Sequence, residues 1–215
     1  MDDHLVGDVV RLVDTASFGW AGLRRWRLDR GSAAASAGEV RQDPGTGAYQ
    51  LRRMFAGTGR IATLPATYDV HDTSGQLWLR VELANARRAH TAPATVSSSS
   101  GRPVGVVPSV RRAPLGAGFT VTARDGAPLL VVPAERGLSW SALDPAGVPV
   151  ARVEHLAVPA GWVDRSLRAG FVDRATSRRD DPTLSGDVIS FERSATALHR
   201  ALVLGVAICR AHPRS

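Results

Sequence analysis

The amino-acid sequence predicts a mainly β fold: a closed antiparallel β-barrel with a hydrophobic C-terminal helix through its centre. Three observations carry this expectation. Short segments rich in Val, Leu, Thr, Phe, Trp and Tyr recur between Gly, Pro and Asp punctuation, which is how strands of an all-β domain read. A strand, turn, strand figure occurs three times over. Finally, residues 201–209, "ALVLGVAIC", carry no polar side chain apart from one thiol, and a helix apolar on every face has to be enclosed.

The first hairpin is "ATYDVHDTSGQLWLRVEL". Tyr68 and Val70 alternate with Asp69 and His71, and Asp72-Thr73-Ser74-Gly75 suits a type I turn closed by a left-handed glycine. Leu77, Leu79 and Val81 then alternate with Trp78, Arg80 and Glu82 on the return. The second, "GFTVTARDGAPLLVV", sets Phe119 and Val121 before an Asp125-Gly126 pair suited to type I′, and returns through Leu129 to Val132. The third, "LSWSALDPAGVPVARVEH", runs through Leu138, Trp140 and Ala142 to Asp144-Pro145-Ala146-Gly147, then back through Val148, Val150 and Val153. A meander of such hairpins loses its exposed edges by closing into a barrel or folding into a sandwich.

Other stretches read differently. Residues 84–101, with Arg87, Arg88, Pro93 and the run Ser97 to Ser100, read as a mobile loop. "GSAAASAGEV" and "RQDPGTGAYQ" read as a linker or long loop, and residues 5–27 fit two strands or a short helix equally well. The expected organisation is therefore an N-terminal piece over residues 1–45, strands or helix plus loop packed on the barrel. Residues 46–215 form the barrel itself, with its core helix over 195–211. A second loop, "DRATSRRDDPTLSGD", precedes a last strand at Val188 to Phe191.

Ser194 is the expected N-cap of a helix about 25 Å long at 1.5 Å per residue. Crossing a bilayer takes about 20 consecutive apolar residues, whereas this run is bounded by Arg200 and Arg210. Protein rather than lipid should surround it, and no transmembrane segment is expected. Asp2 and Asp3 stand where a secretory signal needs positive charge, so the expected location is cytoplasmic, or cytoplasmic and peripheral to a membrane. The one cysteine, Cys209, has apolar neighbours and reads as a buried, inert thiol.

The net charge of +7 rests on 27 basic residues, all arginine. Arginine donates paired hydrogen bonds to phosphate, but the residues are scattered in pairs rather than blocks, and the plainer reading is solvated side chains. Catalytic patterns are lacking. The histidines at 4, 71, 90, 155, 199 and 212 show no metal-ligand spacing, and "GTGAYQ" and "GTGR" lack the lysine of a phosphate loop. Asp69, Asp72 and Gly75 have the outline of a calcium loop without its distal glutamate, and a hairpin turn explains them better. Glu192 and Arg193 read as an ion pair or as charge at the helix start. No enzymatic activity, catalytic residue, metal or cofactor is expected.

The three hairpins, followed by "VISFERS" running straight into "ATALHRALVLGVAICRAH", resemble the tubby-like superfamily in its LURP-one-related and phospholipid-scramblase branch, over residues 60–212. That resemblance implies a closed barrel of about a dozen strands with the C-terminal helix threaded through it. It also implies a ligand: phospholipid or phosphoinositide headgroups at an anionic membrane surface. The chain departs from the family at Cys209-Arg210, where relatives often carry an acidic residue. The scramblase branch's calcium-binding and palmitoylated cysteine segments have no counterpart, so scrambling is not implied.

Two functions from different classes follow. In one, the barrel is a non-enzymatic binding domain for anionic headgroups, with Arg165, Arg168, Arg174, Arg178 and Arg179 as the ligand-binding candidates and Asp164, Asp173, Asp180 and Asp181 interleaved among them. In the other it is a protein-interaction or scaffold barrel with no small ligand, for which an exposed patch of Trp20, Trp26 or Trp162 would argue. The expected partners are thus an anionic membrane surface or another protein. Nucleic acid is not favoured, because no binding motif accompanies the basic excess.

Overall fold

A computed structural model describes residues 9–14, 25–30, 35–43, 65–84, 93–108, 118–135, 139–159 and 183–211. Among these residues twelve strands form one antiparallel sheet: β1 (Val9–Asp14), β2 (Arg25–Arg30), β3 (Ala35–Asp43), β4 (Ala66–Asp72), β5 (Leu77–Leu83), β6 (Ala94–Ser98), β7 (Pro103–Val107), β8 (Phe119–Thr122), β9 (Pro128–Val132), β10 (Trp140–Leu143), β11 (Pro149–Pro159) and β12 (Thr183–Phe191). Each strand pairs with its neighbours in sequence. β1 pairs with both β2 and β12, matching Val10 with Arg30 on one side and with Ile189 on the other, and this closes the barrel. Closure gives every strand two neighbours, with β7–β8 and β9–β10 joined by the single pairs Val106–Thr122 and Val131–Leu143.

The period of two along each strand decides what faces inward. Ala66, Tyr68 and Val70 of β4, Leu79 and Val81 of β5, Val96 of β6, Val121 of β8, Leu130 and Val132 of β9, and Ile189 of β12 are all buried. The alternate positions are largely polar and at least partly accessible: Thr67, Asp69, Arg80, Glu82, Thr120, Arg152 and Glu154. This order is the reverse of a lipid-spanning barrel, whose apolar residues face outward. Across the outer face Arg80 grips Asp69 on the neighbouring strand with two hydrogen bonds of 2.7 and 2.8 Å. That hydrogen bond, reinforced by the charges of Asp69, Glu82 and Asp43, raises the Arg80 pKa above its ordinary value despite partial burial.

Inside the barrel lies α1 (Ala197–Ala211), buried from Arg200 to Cys209. It meets β5, β6, β7, β9 and β11, so wall surrounds it on several sides. Two glycines set how closely helix and wall approach. A Cβ on Gly205 would lie 2.7 Å from Val96 Cγ2, and a Cβ on Gly105 of β7 would lie 2.5 Å from Leu202 Cδ2. Gly205, the one residue in the run that disfavours a helix, is thus where the helix touches β6. Its two arginines mark the ends of the buried stretch: Arg200 stacks over Phe191 at 4.8 Å and Arg210 over Trp140 at 5.4 Å. The helix starts later than expected. Thr196, not Ser194, caps it: the Thr196 hydroxyl accepts from His199 N–H at 3.2 Å, and Thr196 N–H donates back to His199 Nδ1 at 3.4 Å. This is a capping box with histidine in the place of glutamate. The Ser194 hydroxyl instead donates to the Pro149 carbonyl at 2.9 Å.

Four hairpins share one turn. Asp72, Ser98, Ala123 and Asp144 each donate their N–H to the carbonyl four residues on, and each carbonyl accepts from a glycine N–H three residues on. Those glycines, Gly75, Gly101, Gly126 and Gly147, all have φ between 78° and 89°, a region that glycine enters without steric cost. The turn at Asp125-Gly126 is therefore not the two-residue type I′ expected, but the same type I turn with a left-handed glycine as its siblings. The serine run, read as loop, is the end of β6 and the turn after it. The Ser98 and Ser100 hydroxyls, 2.9 Å apart, stand where the other turns use aspartate.

The small-residue segment read as linker is also a strand: Ala35–Asp43 is β3, paired with β2 and β4. Glycine is required at Gly38, whose φ is 146° and where a Cβ would collide with the His71 carbonyl oxygen. β1 to β3 are barrel staves, so the barrel begins at Val9, ahead of residue 46. Likewise β12 starts at Thr183, earlier than Val188, in register with the long β11.

Candidate functional site

Antiparallel closure sorts the connections between strands onto two ends. The turns after β2, β4, β6, β8 and β10, and the link from β12 into α1, lie at one end. The connections 15–24, 44–65, 84–93, 108–118, 133–139 and 160–182 all leave and rejoin the barrel at the other, where α1 finishes. The proposed headgroup ligands Arg165, Arg168, Arg174, Arg178 and Arg179 lie outside the described residues, as do Trp20 and Trp162. What the structure fixes is their attachment: that segment joins Pro159, the last residue of β11, to Thr183, the first of β12.

The sorting has an electrostatic result. The six long connections carry fourteen arginines and five carboxylates, whereas the six short ones carry three of each. The excess of nine positive charges on the long connections is larger than the chain's net charge of +7, and it is tethered to one end. The buried polar groups of the wall among the described residues are Gln42, Ser97 and Asp187, with His155 Nδ1 2.8 Å from Asp187 Oδ1. His155 and Asp187 face each other across the β11–β12 pair and are not placed for chemistry on a substrate outside.

At the opposite end lies a cleft of about 610 Å³ among the turns after β4, β6 and β8 and the first turn of α1. Leu77, Trp78, Pro103, Val104, Leu129 and Leu198 give it an apolar wall, and Asp72, Gln76, Ser98, Ser99, Ser100 and Arg102 give it a polar rim. Neither the cleft nor its rim was legible in sequence, because its residues come from four separate segments. Trp78 is 8% exposed and its indole N–H has no hydrogen-bond partner. Asp72 is committed to its turn, its Oδ1 accepting from Ser74 N–H and hydroxyl and from Gln76 N–H at 2.6 to 2.9 Å. Arg102 is exposed and, among the described residues, has no carboxylate partner.

Among the described residues no cluster of three His, Cys, Asp or Glu side chains could hold a metal ion, and no helix is long and apolar enough to cross a membrane. Trp78 and Trp140 are buried, and Val148 is the one large hydrophobic exposed among the described residues. Comparison with protein-family models, curated proteins and solved structures finds no match to this chain.

Proposed function

We propose that this barrel is a non-enzymatic binding domain whose loop end docks on anionic phospholipid headgroups at a membrane surface. One observation carries the reading: strand order tethers the six long connections, which together carry fourteen arginines and five carboxylates, to the same end, while the short connections at the other end are balanced in charge. Concentrating like charge on one face costs stability through self-repulsion, and an anionic surface relieves it. Guanidinium groups suit the task, since each donates paired hydrogen bonds to phosphate and stays charged at any physiological pH. The resemblance to tubby-like barrels points to the same ligand class.

Flotation with liposomes tests this at physiological salt. The expected result is flotation with vesicles containing phosphatidylserine or phosphatidylinositol phosphates, none with phosphatidylcholine alone, and weakening as salt is raised. An arginine near such a surface contributes about 1 kcal/mol, so changing Arg165, Arg168, Arg174, Arg178 and Arg179 together to Gln should lower partitioning by roughly a hundredfold or more. Equal flotation with neutral and anionic vesicles overturns the proposal. So does tight, salt-dependent retention of DNA in a filter assay by a protein that ignores vesicles.

A further inference from the structure

We infer that the cleft at the short-turn end is a second, independent binding site, for a small amphiphilic carboxylate: one acid group on a compact apolar body. The size fits, since ligand pockets commonly measure about 300–1,000 Å³ and this one is about 610 Å³. The lining divides by chemistry. One wall is aliphatic and aromatic, built from Leu77, Trp78, Val104, Leu129 and Leu198, and favours an apolar body over a sugar.

The rim supplies the opposite preference. Arg102 stands at the edge with its guanidinium unpaired among the described residues, beside the Ser99 hydroxyl, which can donate to the same anion. Asp72 is the competing charge on the rim, but the donors of its own turn occupy its Oδ1. One cation and one committed carboxylate select a monoanionic head, whereas a polyphosphate would need more positive charge than the cleft holds. The apolar wall is continuous with the core, because Val104, Leu129 and Leu198 pack against it, so the ligand body would lie against the first turn of the helix.

Isothermal titration of the full chain with octanoate, 1-octanol, octylammonium and methyl glucoside separates the possibilities. Octanoate is expected to bind at least about tenfold more tightly than 1-octanol, consistent with a charge-assisted hydrogen bond, and octylammonium and the glucoside are expected not to bind. Arg102→Gln should bring octanoate down to the level of 1-octanol with no change in thermal midpoint, because Arg102 is exposed. Ser99→Glu, also at an exposed position, should abolish octanoate binding by placing a carboxylate at the rim. Equal binding of octanoate and 1-octanol, binding of the glucoside instead, no binding at all, or an Arg102→Gln variant that binds octanoate normally would each overturn the inference. None of these outcomes bears on vesicle flotation, which reads the other end of the barrel.

Discussion

Replacing Gly205 by alanine tests whether the helix is seated against β6. In an isolated helix the change is favourable by about 1 kcal/mol, because glycine loses more backbone freedom than alanine. In this barrel the new methyl would meet Val96 Cγ2 at 2.7 Å, with Cγ1 at 3.5 Å and Cβ at 3.7 Å. Carbon atoms pack at about 3.5–4.0 Å, so one contact is too short by most of an ångström. Val96 is fully buried on a strand hydrogen-bonded on both sides, and its branched side chain has little rotamer freedom to yield. Overpacking of this kind costs about 1–3 kcal/mol, which leaves Gly205→Ala destabilised by about 1 kcal/mol net.

Val96→Ala alone leaves a cavity and should cost about 2 kcal/mol. In the double variant the alanine methyl fills the space that Val96 vacates, so the two changes should couple favourably by about 2 kcal/mol. Urea unfolding of the four proteins, analysed as a double-mutant cycle, measures this directly. If Gly205→Ala stabilises the protein by about 1 kcal/mol and the coupling is within about 0.5 kcal/mol of zero, the helix is not where it is described.

Two further outcomes follow from the enclosed helix. Val203→Asp sets a charge where exposure is 0%, a penalty of several kcal/mol against a total stability of about 5–15 kcal/mol; the variant should fail to fold cooperatively, and a soluble, cooperatively melting Val203→Asp protein would contradict enclosure. Cys209 is fully buried, which pushes its thiol up from the ordinary 9.0 to about 12. The native state thus favours the protonated thiol. Its contribution is fully present below pH 9 and is lost towards pH 12, at about 1.4 kcal/mol per pH unit. Cys209→Ala should lack that alkaline slope in urea melts, and native Cys209 should react with a thiol reagent only as fast as the protein opens. Labelling at the rate of the unfolded chain would show an accessible thiol.

Legibility in sequence followed the strength of local signals. Alternation around Tyr68 and Val70, and turns that announced themselves with aspartate and glycine, gave the hairpins β4–β5, β8–β9 and β10–β11. Uniform apolarity gave the helix and its need for a container. The serine turn after β6 escaped because hydroxyls there replace the aspartate that marks its siblings. β3 escaped because its alanines, serine and glycine carry no strand propensity, and close approach to the His71 carbonyl demands the glycine at Gly38. Gly205 is unfavourable to a helix taken alone, and its meaning lies in a strand about a hundred residues away. The cleft escaped for the same reason: Gln76, Arg102, Leu129 and Leu198 are ordinary residues until folding makes them neighbours.

The position of the helix in the chain has a consequence for biosynthesis. Translation proceeds from the N-terminus, so all twelve staves leave the ribosome before the segment they surround. Until Ala197–Ala211 emerges, the inward faces of Tyr68, Leu79, Val96 and Leu130 have only one another or water to meet. The strand that closes the ring, β12, comes immediately before, and its partner β1 precedes the other eleven strands. Closure therefore waits for contacts of the longest sequence separation available, which are slow to form. A nascent chain of this kind spends most of its synthesis as an open sheet with an unsatisfied apolar face, the form most exposed to aggregation and to chaperones. Emergence of Ala197–Ala211, rather than any earlier step, sets the first moment at which the filled barrel can exist.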